Sequence, residues 1–435
     1  MDLFNLSPLD NRYYDKVSSL RYFLSDFGIN KIRCEIEIEY FKELVKFLHG
    51  YYDKKFTLDF NEDTFKKIRE IEKTTNHDIK AIEYYIRGEV INNTKTDYYK
   101  YHNLIHFALT SQDINSFTNT ISLKYSMEKV ILPCLHKLLA VLEFMNNNWI
   151  NVCMMSRTHG QPAVTTSMGK EIGVFHSRLL IQVKKLMNYE YSTKFGGAVG
   201  NLNAHYYSYP DKDWDNFMDS FCNSFDLKRN KCTTQVDHYD NITELFDIMK
   251  RINTILIDFN VDIWLYISIN YFKLKTFKNE VGSSTMPHKV NPINFENSEG
   301  NLHMANGVLG IFSQKLPISR YQRDLSDSTI CRNFGVAFGY SLLAYESLIA
   351  GLNKLEINKE VIESDLNSNW SILTEAIQCI MKTENIDSAY EIIKNHSRGL
   401  ESGFTKETYI SLVNSLDISD VNKERLMNLT PSNYF

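Results

Sequence analysis

Apolar residues recur along most of the chain at the three- and four-residue spacing of an α-helix. The clearest stretch is 241–272, where a 4-3-4-3 spacing links Leu245, Met249, Ile252, Leu256, Phe259, Ile263 and Tyr266. Such a seam is typical of long helices that pack side by side. Ile248, Ile255 and Ile269 lie outside the seam. We therefore expect this helix to contact neighbours on more than one face.

The same spacing predicts long helices in the middle of the chain and shorter helices on either side. The long helices are expected at 128–149, 167–188, 241–272, 294–315 and 329–354. The shorter helices are expected at 31–49, 61–74, 78–89, 358–369, 373–384 and 388–396. Alternating β-branched runs bounded by turns do not recur, so the pattern predicts an all-α fold. We divide it into an N-terminal helical domain (1–110), a central long-helix bundle (111–352) and a C-terminal helical domain (353–435).

Composition narrows the functional classes. A net charge of -5 without a dense Lys/Arg block argues against a nucleic-acid partner. No uncharged apolar run approaches the ~18 residues of a membrane span, and the N-terminus lacks a signal-peptide pattern. We therefore expect a cytoplasmic protein without a membrane partner. The seven cysteines are scattered, and neither C-x-x-C nor H-E-x-x-H occurs, so we expect no metal.

The stretch 281–299 is the richest in chemical groups. A Gly-Ser-Ser loop leads through Lys289 and Asn291 to Pro292, which suits the first turn of a helix. Glu296 follows within the next turn, so hydroxyls, a cation and a carboxylate share a small volume. Gly-Ser-Ser alone is more often an ordinary helix-entry loop, whereas the full pattern G-S-S-x-M-P-x-K-x-N-P is far more specific.

Further polar patches separate the apolar stretches. They read N-R-Y at 11–13, T-T-N-H-D at 74–78, T-S-Q-D at 110–113, S-R-T-H-G-Q-P at 156–162 and R-Y-Q-R-D-L-S-D-S-T-I-C-R at 320–332. Helix capping alone explains T-N-H-D and T-S-Q-D well. A lone histidine such as His159 is more often structural than catalytic. The glycine cluster at 196–200 lacks the G-x-G-x-x-G spacing, so we interpret it as a turn rather than a nucleotide loop.

Taken together and in this order, these patches resemble the bacterial-type adenylosuccinate lyases of the fumarase/aspartase superfamily. The loop at 281–292 alone leaves fumarase, aspartase and argininosuccinate lyase open, and S-R-T-H-G-Q-P-A and T-T-N-H-D narrow the choice. The resemblance covers nearly the whole chain. Related chains continue beyond T-P-x-N-Y with another helical segment, so we expect a shortened or missing tail here.

The resemblance implies a three-domain fumarase/aspartase-like fold whose long helices form a twenty-helix core in a homotetramer, with each active site shared by three subunits. It also implies a reaction without a metal or organic cofactor. The reaction is a β-elimination of fumarate from adenylosuccinate, giving AMP. The same enzyme acts on succinyl-aminoimidazole-carboxamide ribotide. The alternatives are another fumarate-releasing lyase, such as argininosuccinate lyase, and a catalytically silent structural oligomer on the same scaffold.

Individual roles follow from the matching motifs. The resemblance makes Ser283 the base, with Ser284 as the competing candidate, and His159 the general acid. Glu296 orients His159, and Lys289 assists catalysis. The substrate-binding positions are Arg12, Tyr13, Asn76, His77, Asp78, Thr110, Ser111, Thr158, Gln235, Ser284, Met286, Asn291, Asn297, Arg323, Ser328 and Arg332. We expect 281–289 to be a lid that orders on substrate, because its residues offer little apolar burial.

Overall fold

The computed structural model describes residues 4–92, 95–276, 286, 288–398 and 403–435. The chain forms two compact units, each built from three stretches. The first unit comprises Met1–His136, Ile181–Ile257 and Ser298–Glu346. The second comprises Lys137–Leu180, Asp258–Asn297 and Ser347–Phe435. The division into three domains at 110 and 352 stays a prediction.

Helices dominate both units, as the spacing of apolar residues predicted. In chain order they are α1 (Ser18–Leu24), α2 (Asp26–His49), α3 (Glu62–Thr75), α4 (Asp78–Asn92), α5 (Ser111–Ser126), α6 (Leu132–Trp149), α7 (Met168–Met187), α8 (Asn203–Ser208), α9 (Trp214–Asn223), α10 (Asp240–Ser268), α11 (Ile293–Lys315), α12 (Ser326–Cys331), α13 (Phe334–Leu352), α14 (Lys359–Asn367), α15 (Thr374–Thr383), α16 (Ala389–Ser397), α17 (Lys406–Ser415) and α18 (Asp420–Met427). Most of the predicted helices are therefore confirmed with small shifts at their ends, but the one expected at 128–149 begins much earlier and the one expected at 329–354 is divided into α12 and α13.

Strands are few, and the apolar pattern did not predict them. They are β1 (Cys153–Thr158), β2 (Gln161–Ser167), β3 (Ser192–Lys194), β4 (Lys228–Asn230), β5 (Phe272–Leu274) and β6 (Leu355–Ile357). In the described ranges they form three two-stranded sheets: β1 with β2 and β5 with β6 antiparallel, and β3 with β4 parallel. Such short strands carry too few alternating positions to stand out from loops.

The helix expected to start at 128 in fact starts at Ser111 and continues to Trp149 through a π-helical turn at Met127–Ile131. The apolar pattern missed the first half of this helix because several of its buried side chains carry hydroxyl groups. Thr120 Oγ1 donates to the Ser116 carbonyl at 3.1 Å, and Ser126 Oγ donates to the Ser122 carbonyl at 2.7 Å. A polar side chain that bonds back to its own helix is buried without the penalty of an unpaired hydroxyl.

The first unit buries an aromatic cluster between α2, α5 and α9. Tyr40 meets Phe195 edge to face at 5.6 Å, and Phe117 meets Phe195 at 5.4 Å. Phe221 stacks on Phe195 at 5.1 Å. These rings are 0–3% exposed. Burying one such ring contributes about 1.5–3 kcal/mol, so this cluster holds α5 firmly against its neighbours.

Within α10 the predicted seam is confirmed, because Leu245, Met249, Ile252, Leu256, Phe259 and Ile263 are all buried. The seam also contains a polar contact in the first unit. Asn253 Oδ1 accepts from the Tyr345 hydroxyl at 2.5 Å, and Asn253 Nδ2 donates to Ser341 at 3.4 Å. A satisfied polar group among apolar neighbours favours one register of α10 against α13.

The second unit has its own core around the C-terminal helices. Leu373, Ile377, Tyr409 and Val413 are fully buried there, and Met155 of β1 packs into the same cluster. Thr165 Oγ1 of β2 also donates to the Pro431 carbonyl at 2.7 Å. Because Met155 and Thr165 are paired in the hairpin, the middle of the β1–β2 hairpin is attached to the C-terminal region.

Two helical stretches among the described residues, Ser111–Trp149 and Ser326–Leu352, are long and apolar enough to cross a membrane. Length and composition are the only basis for this. The apolar part of the second stretch is 72% buried inside the protein. Core helices of soluble proteins pass the same test, so neither stretch is strong evidence for a membrane span.

Candidate active site

Several of the expected binding residues meet at the start of α5 in the first unit. Thr110 precedes the helix, and Ser111 is its first residue. The Ser111 hydroxyl lies 3.4 Å from His77 Nε2. A helix N-terminus presents unpaired N–H groups and a partial positive charge, and together with a hydroxyl these suit a carboxylate or phosphate. The capping interpretation of T-S-Q-D is also correct, because the Asp113 carboxylate accepts from the Thr110 N–H at 2.8 Å.

The T-T-N-H-D patch joins two helices. Asn76 adopts a left-handed conformation with φ of 51° and ends α3, and His77 Nδ1 accepts from the Lys80 N–H at 3.2 Å as α4 begins. Asp78 pairs with Arg33 at 3.0 Å. Burial on its own would raise the pKa of Asp78. The Arg33 guanidinium and the Ile79 N–H outweigh burial and hold that pKa below its usual value.

Gln235 and Arg323 lie together in the same unit. Arg323 Nη1 donates to Gln235 Oε1 at 3.4 Å, and Gln235 Nε2 donates to the Ala198 carbonyl at 2.9 Å. Ala198 belongs to the glycine cluster, which forms a turn, as predicted. Gly200 cannot be replaced there without strain, because its φ is +83° and a Cβ would lie 2.2 Å from the Thr233 carbonyl oxygen.

Ser328 and Arg332 lie on and just after the short helix α12. They line a cavity of about 370 Å³ in the first unit. Behind them Asp327 is buried and accepts from Gln112 Nε2 at 2.5 Å and from the Tyr239 hydroxyl at 2.8 Å. This network fixes the start of α12, so the Ser328 hydroxyl and the Arg332 guanidinium are presented from a rigid base.

Arg12 and Tyr13 follow the short 3-10 helix Pro8–Asp10. The Arg12 guanidinium lies 5.8 Å from the Tyr13 ring centre, close enough for a cation–π contact. Tyr13 packs against Leu9 and Val17, which are buried. The exposed Arg12 therefore projects from an anchored turn.

His159 lies in the second unit at the tip of the β1–β2 hairpin. Thr158 pairs with Gln161, so His159 and Gly160 form a two-residue loop. Their φ values are +53° and +73°, as a type I′ hairpin turn requires. His159 and Thr158 are both exposed. The tip of the hairpin thus places the expected acid in solvent.

The hairpin is fixed just before its tip. Arg157 Nη2 donates to Asp365 Oδ2 at 2.9 Å, and the Tyr271 hydroxyl donates to the same oxygen at 2.5 Å. Burial and the Asp365 carboxylate raise the pKa of Tyr271, so this hydroxyl stays protonated and remains a donor.

The remaining expected residues lie at the entry to α11 in the second unit. Met286 and Lys289 are exposed, and Asn291 and Asn297 are half-buried. Glu296 Oε1 accepts from Trp264 Nε1 at 3.1 Å. Ser283 and Ser284 lie outside the described residues, as does most of the expected lid. In the part of a single chain that the structure describes, no hydrogen bond or ion pair joins His159 to Glu296.

Sequence reasoning missed one feature of this region, a buried ion pair between Asp113 and Lys194. Lys194 Nζ lies 2.6 Å from Asp113 Oδ1, and both side chains are 0% exposed. The residues are distant in sequence and no spacing rule joins them, so only the folded chain reveals the pair. Across the ranges that the structure describes, no group of three His, Cys, Asp or Glu residues is placed to hold a metal ion.

Comparisons with known proteins cover nearly the whole chain. A family model described as Lyase matches residues 33–309, and one described as Adenylosuccinate lyase C-terminal matches residues 319–435. Adenylosuccinate lyase of Haemophilus influenzae is 44% identical over 99% of this chain and 96% of that protein. The enzymes of the same name from Dictyostelium discoideum and Escherichia coli are 46% and 42% identical, with the same coverage of 99% and 96%.

Solved structures agree on the fold. A fumarate lyase from Mesorhizobium sp. BNC1 superimposes with a TM-score of 0.75 at 13% identity, over 96% of this chain and 95% of that one. The 3-carboxy-cis,cis-muconate lactonizing enzyme from Pseudomonas putida gives a TM-score of 0.75 at 16% identity, over 98% and 96%. The predicted all-α, fumarase/aspartase-like fold is thereby confirmed.

Proposed function

The chain belongs to the adenylosuccinate lyase family, and on that premise we propose that it eliminates fumarate from adenylosuccinate to give AMP. It acts in the same way on succinyl-aminoimidazole-carboxamide ribotide. The observation that carries this proposal is the 42–46% identity to adenylosuccinate lyases across 99% of the chain. A cytoplasmic location stays a prediction.

The reaction breaks a C–N bond and forms a C=C bond. A base removes a proton from the carbon beside one carboxylate, and an acid protonates the departing nitrogen. We assign the base to Ser283, with Ser284 as the alternative, and the acid to His159. A serine needs a cation and backbone N–H groups nearby to become basic, and we assign Lys289 to that role. Glu296 would orient the His159 ring.

Carboxylate binding is the role best supported by geometry. Thr110 and Ser111 stand at a helix N-terminus with His77 beside them, an arrangement suited to an anion. Lys289 and Asn291 would complete the contacts to the succinyl group. The negative charge that develops during the reaction would then face fixed positive ends, which is where electrostatic stabilisation is most effective.

The nucleotide phosphate is assigned to the guanidinium and hydroxyl groups of the first unit. Arginine suits a phosphate because its planar fork donates two parallel hydrogen bonds. The assigned residues are Arg12, Tyr13, Arg323, Ser328 and Arg332. The rest of the pocket is assigned to Asn76, His77, Asp78, Thr158, Gln235, Met286 and Asn297.

We also propose a homotetramer with sites shared between subunits. Ile181 of α7, Leu265 of α10 and Ile311 of α11 are 50–54% exposed in a single chain, although they lie on long core helices. Large apolar side chains at such positions suit a subunit interface. In a shared site, Glu296 of one subunit would reach His159 of another.

A substrate panel tests the activity directly. Purified protein is offered adenylosuccinate and, separately, argininosuccinate, and fumarate release is followed by ultraviolet absorbance. We expect turnover of adenylosuccinate alone, and its loss in His159→Ala. His396→Ala, which removes an exposed histidine from α16, is the matched control and should remain active. Turnover of argininosuccinate alone would contradict the proposal.

A further inference from the structure

The ion pair between Asp113 and Lys194 is unusual because both charges are removed from solvent. Taking two charges out of water is expensive, and the cost is recovered only when every remaining polar atom is bonded. Burial lowers the pKa of Lys194, and the Asp113 carboxylate opposes that shift. A pair with this energetic cost is expected to hold particular parts of the chain in place.

Asp113 collects donors from two separate parts of the chain. Its Oδ2 accepts from the Thr110 N–H at 2.8 Å, at the start of α5. Its Oδ1 accepts from Lys194 Nζ at 2.6 Å and from the N–H groups of Gly196 and Gly197 at 2.8 and 3.1 Å. One carboxylate therefore fastens the start of α5 to the glycine turn that follows β3.

Lys194 closes the turn from the other side, since its Nζ also donates to the Gly197 carbonyl at 2.6 Å. The next carbonyl, that of Ala198, accepts from Gln235, which in turn accepts from Arg323. The bonded path thus runs from Thr110 and Ser111 at one end to Gln235 and Arg323 at the other. Both ends consist of residues assigned to the substrate.

We propose that Asp113 and Lys194 are positioning residues. They fix the position of the start of α5, which is assigned to the substrate carboxylates, relative to the hydrogen-bonded pair Gln235 and Arg323. Neither side chain touches the substrate, because both are fully buried. The inference rests on the proposed function, since the two ends matter only if they bind opposite parts of one ligand. The competing explanation is a pair that only stabilises the fold.

Substitution separates the two explanations. An asparagine at 113 has one acceptor oxygen, so Asp113→Asn cannot accept from Thr110 and from the glycine amides together. Losing one such bond typically costs about tenfold in binding. We expect Asp113→Asn to raise KM for adenylosuccinate about tenfold, with fumarate affinity falling more than AMP affinity. Lys194→Met should weaken both ligands, because it loosens the turn that carries Gln235.

Lys124→Met is the matched control. Lys124 is a buried lysine of the same helix α5, bonded to the Phe225 carbonyl at 3.1 Å and to Asp226 at 3.3 Å. The Lys124→Met substitution should lower the melting temperature and leave KM within about twofold of the wild type. Melting temperature, kcat, KM and calorimetric affinities for AMP and fumarate are measured for every variant.

The double variant Asp113→Asn/Lys194→Met carries no unpaired buried charge, so it should fold even where the single variants are unstable. It should still show the raised KM. A normal KM in the folded double variant, or failure of all three variants to fold, would assign the pair a purely structural role and overturn the inference. Wild-type protein without adenylosuccinate turnover would refute the proposed function instead.

Discussion

The residues assigned to binding and those assigned to proton transfer are held in different ways. In the first unit, Thr110, Gln235 and Arg323 belong to one hydrogen-bonded path. The buried Asp113 carboxylate holds this path together by accepting from backbone N–H groups. In the second unit, His159 is exposed at the tip of a hairpin. This hairpin is anchored two residues earlier, where Arg157 donates to Asp365. These three binding groups are thus fixed by hydrogen bonds within one chain, whereas the proposed acid is exposed to solvent.

This difference has a physical explanation. A site for a charged ligand gains from preorganised dipoles and charges, which cost nothing to arrange when the ligand arrives. A general acid needs its partners only in the assembled site, and on our proposal those come from another subunit. The contrast predicts different consequences for changes in the two regions.

Removing the proposed acid should give the largest effect. We expect His159→Gln to lower kcat by about 10²–10⁴-fold, the usual contribution of general acid–base catalysis. AMP affinity should stay near the wild-type value, because the groups assigned to the phosphate lie in the first unit. Steady-state kinetics and calorimetry with AMP measure the two quantities. A comparable loss of AMP affinity would show that nucleotide binding and proton transfer do not depend on separate regions.

Mixing inactive subunits tests whether the exposed acid serves another chain. Ser283→Ala and His159→Ala proteins should each be inactive, and a mixture allowed to exchange subunits should recover part of the activity. Hybrid tetramers then contain sites in which both residues are intact. Exchange is verified by native mass spectrometry. Absence of recovery in exchanged tetramers would argue that each site is built from one chain.

Loosening the hairpin anchor should have a moderate effect. We expect Asp365→Asn to lower kcat about tenfold and to change KM little, because Arg157 loses its charged partner beside the proposed acid. Asp258→Asn is the matched control, since it breaks a half-exposed ion pair with Arg178 in the same unit. Equal kinetics for the two variants would show that the anchor does not orient His159.

The smallest effect concerns stability near the start of α5. Burial alone would lower the pKa of His106, but the buried Glu37 carboxylate, 2.6 Å away, outweighs it and raises that pKa. A raised pKa stabilises the fold fully below the unfolded value near pH 6.5. That contribution is lost as the pH rises through the higher folded value.

His106→Gln should therefore lower the free energy of unfolding by about 1.5–3 kcal/mol at low pH, the contribution of a hydrogen bond to a charged group. The loss should shrink as the pH rises above neutrality. Chemical denaturation of both proteins across the pH range measures it. A constant difference would show that the charge on His106 is not what stabilises the loop before α5.

Much of the fold was predictable because long helices repeat their apolar spacing many times. The seam of α10 and the cap at Thr110 are local patterns, and both were confirmed. The hairpin carrying His159 was missed, because its strands are short and paired only by the fold. The apolar spacing missed the first half of that helix, although the cap at Thr110 marked its start, because its buried hydroxyls resemble solvent-facing residues in sequence.

The sequence by itself determined the helical architecture, the family and the identity of the candidate residues, since each depends on local spacing or on motifs that stay together along the chain. Only the tertiary structure decided which of those residues are fixed by hydrogen bonds and which are exposed to solvent. It joined Asp113 to Lys194 and Arg157 to Asp365 across long separations in sequence. Such pairs are selected by burial and by the need to satisfy every buried charge, and these conditions exist only once the chain has folded.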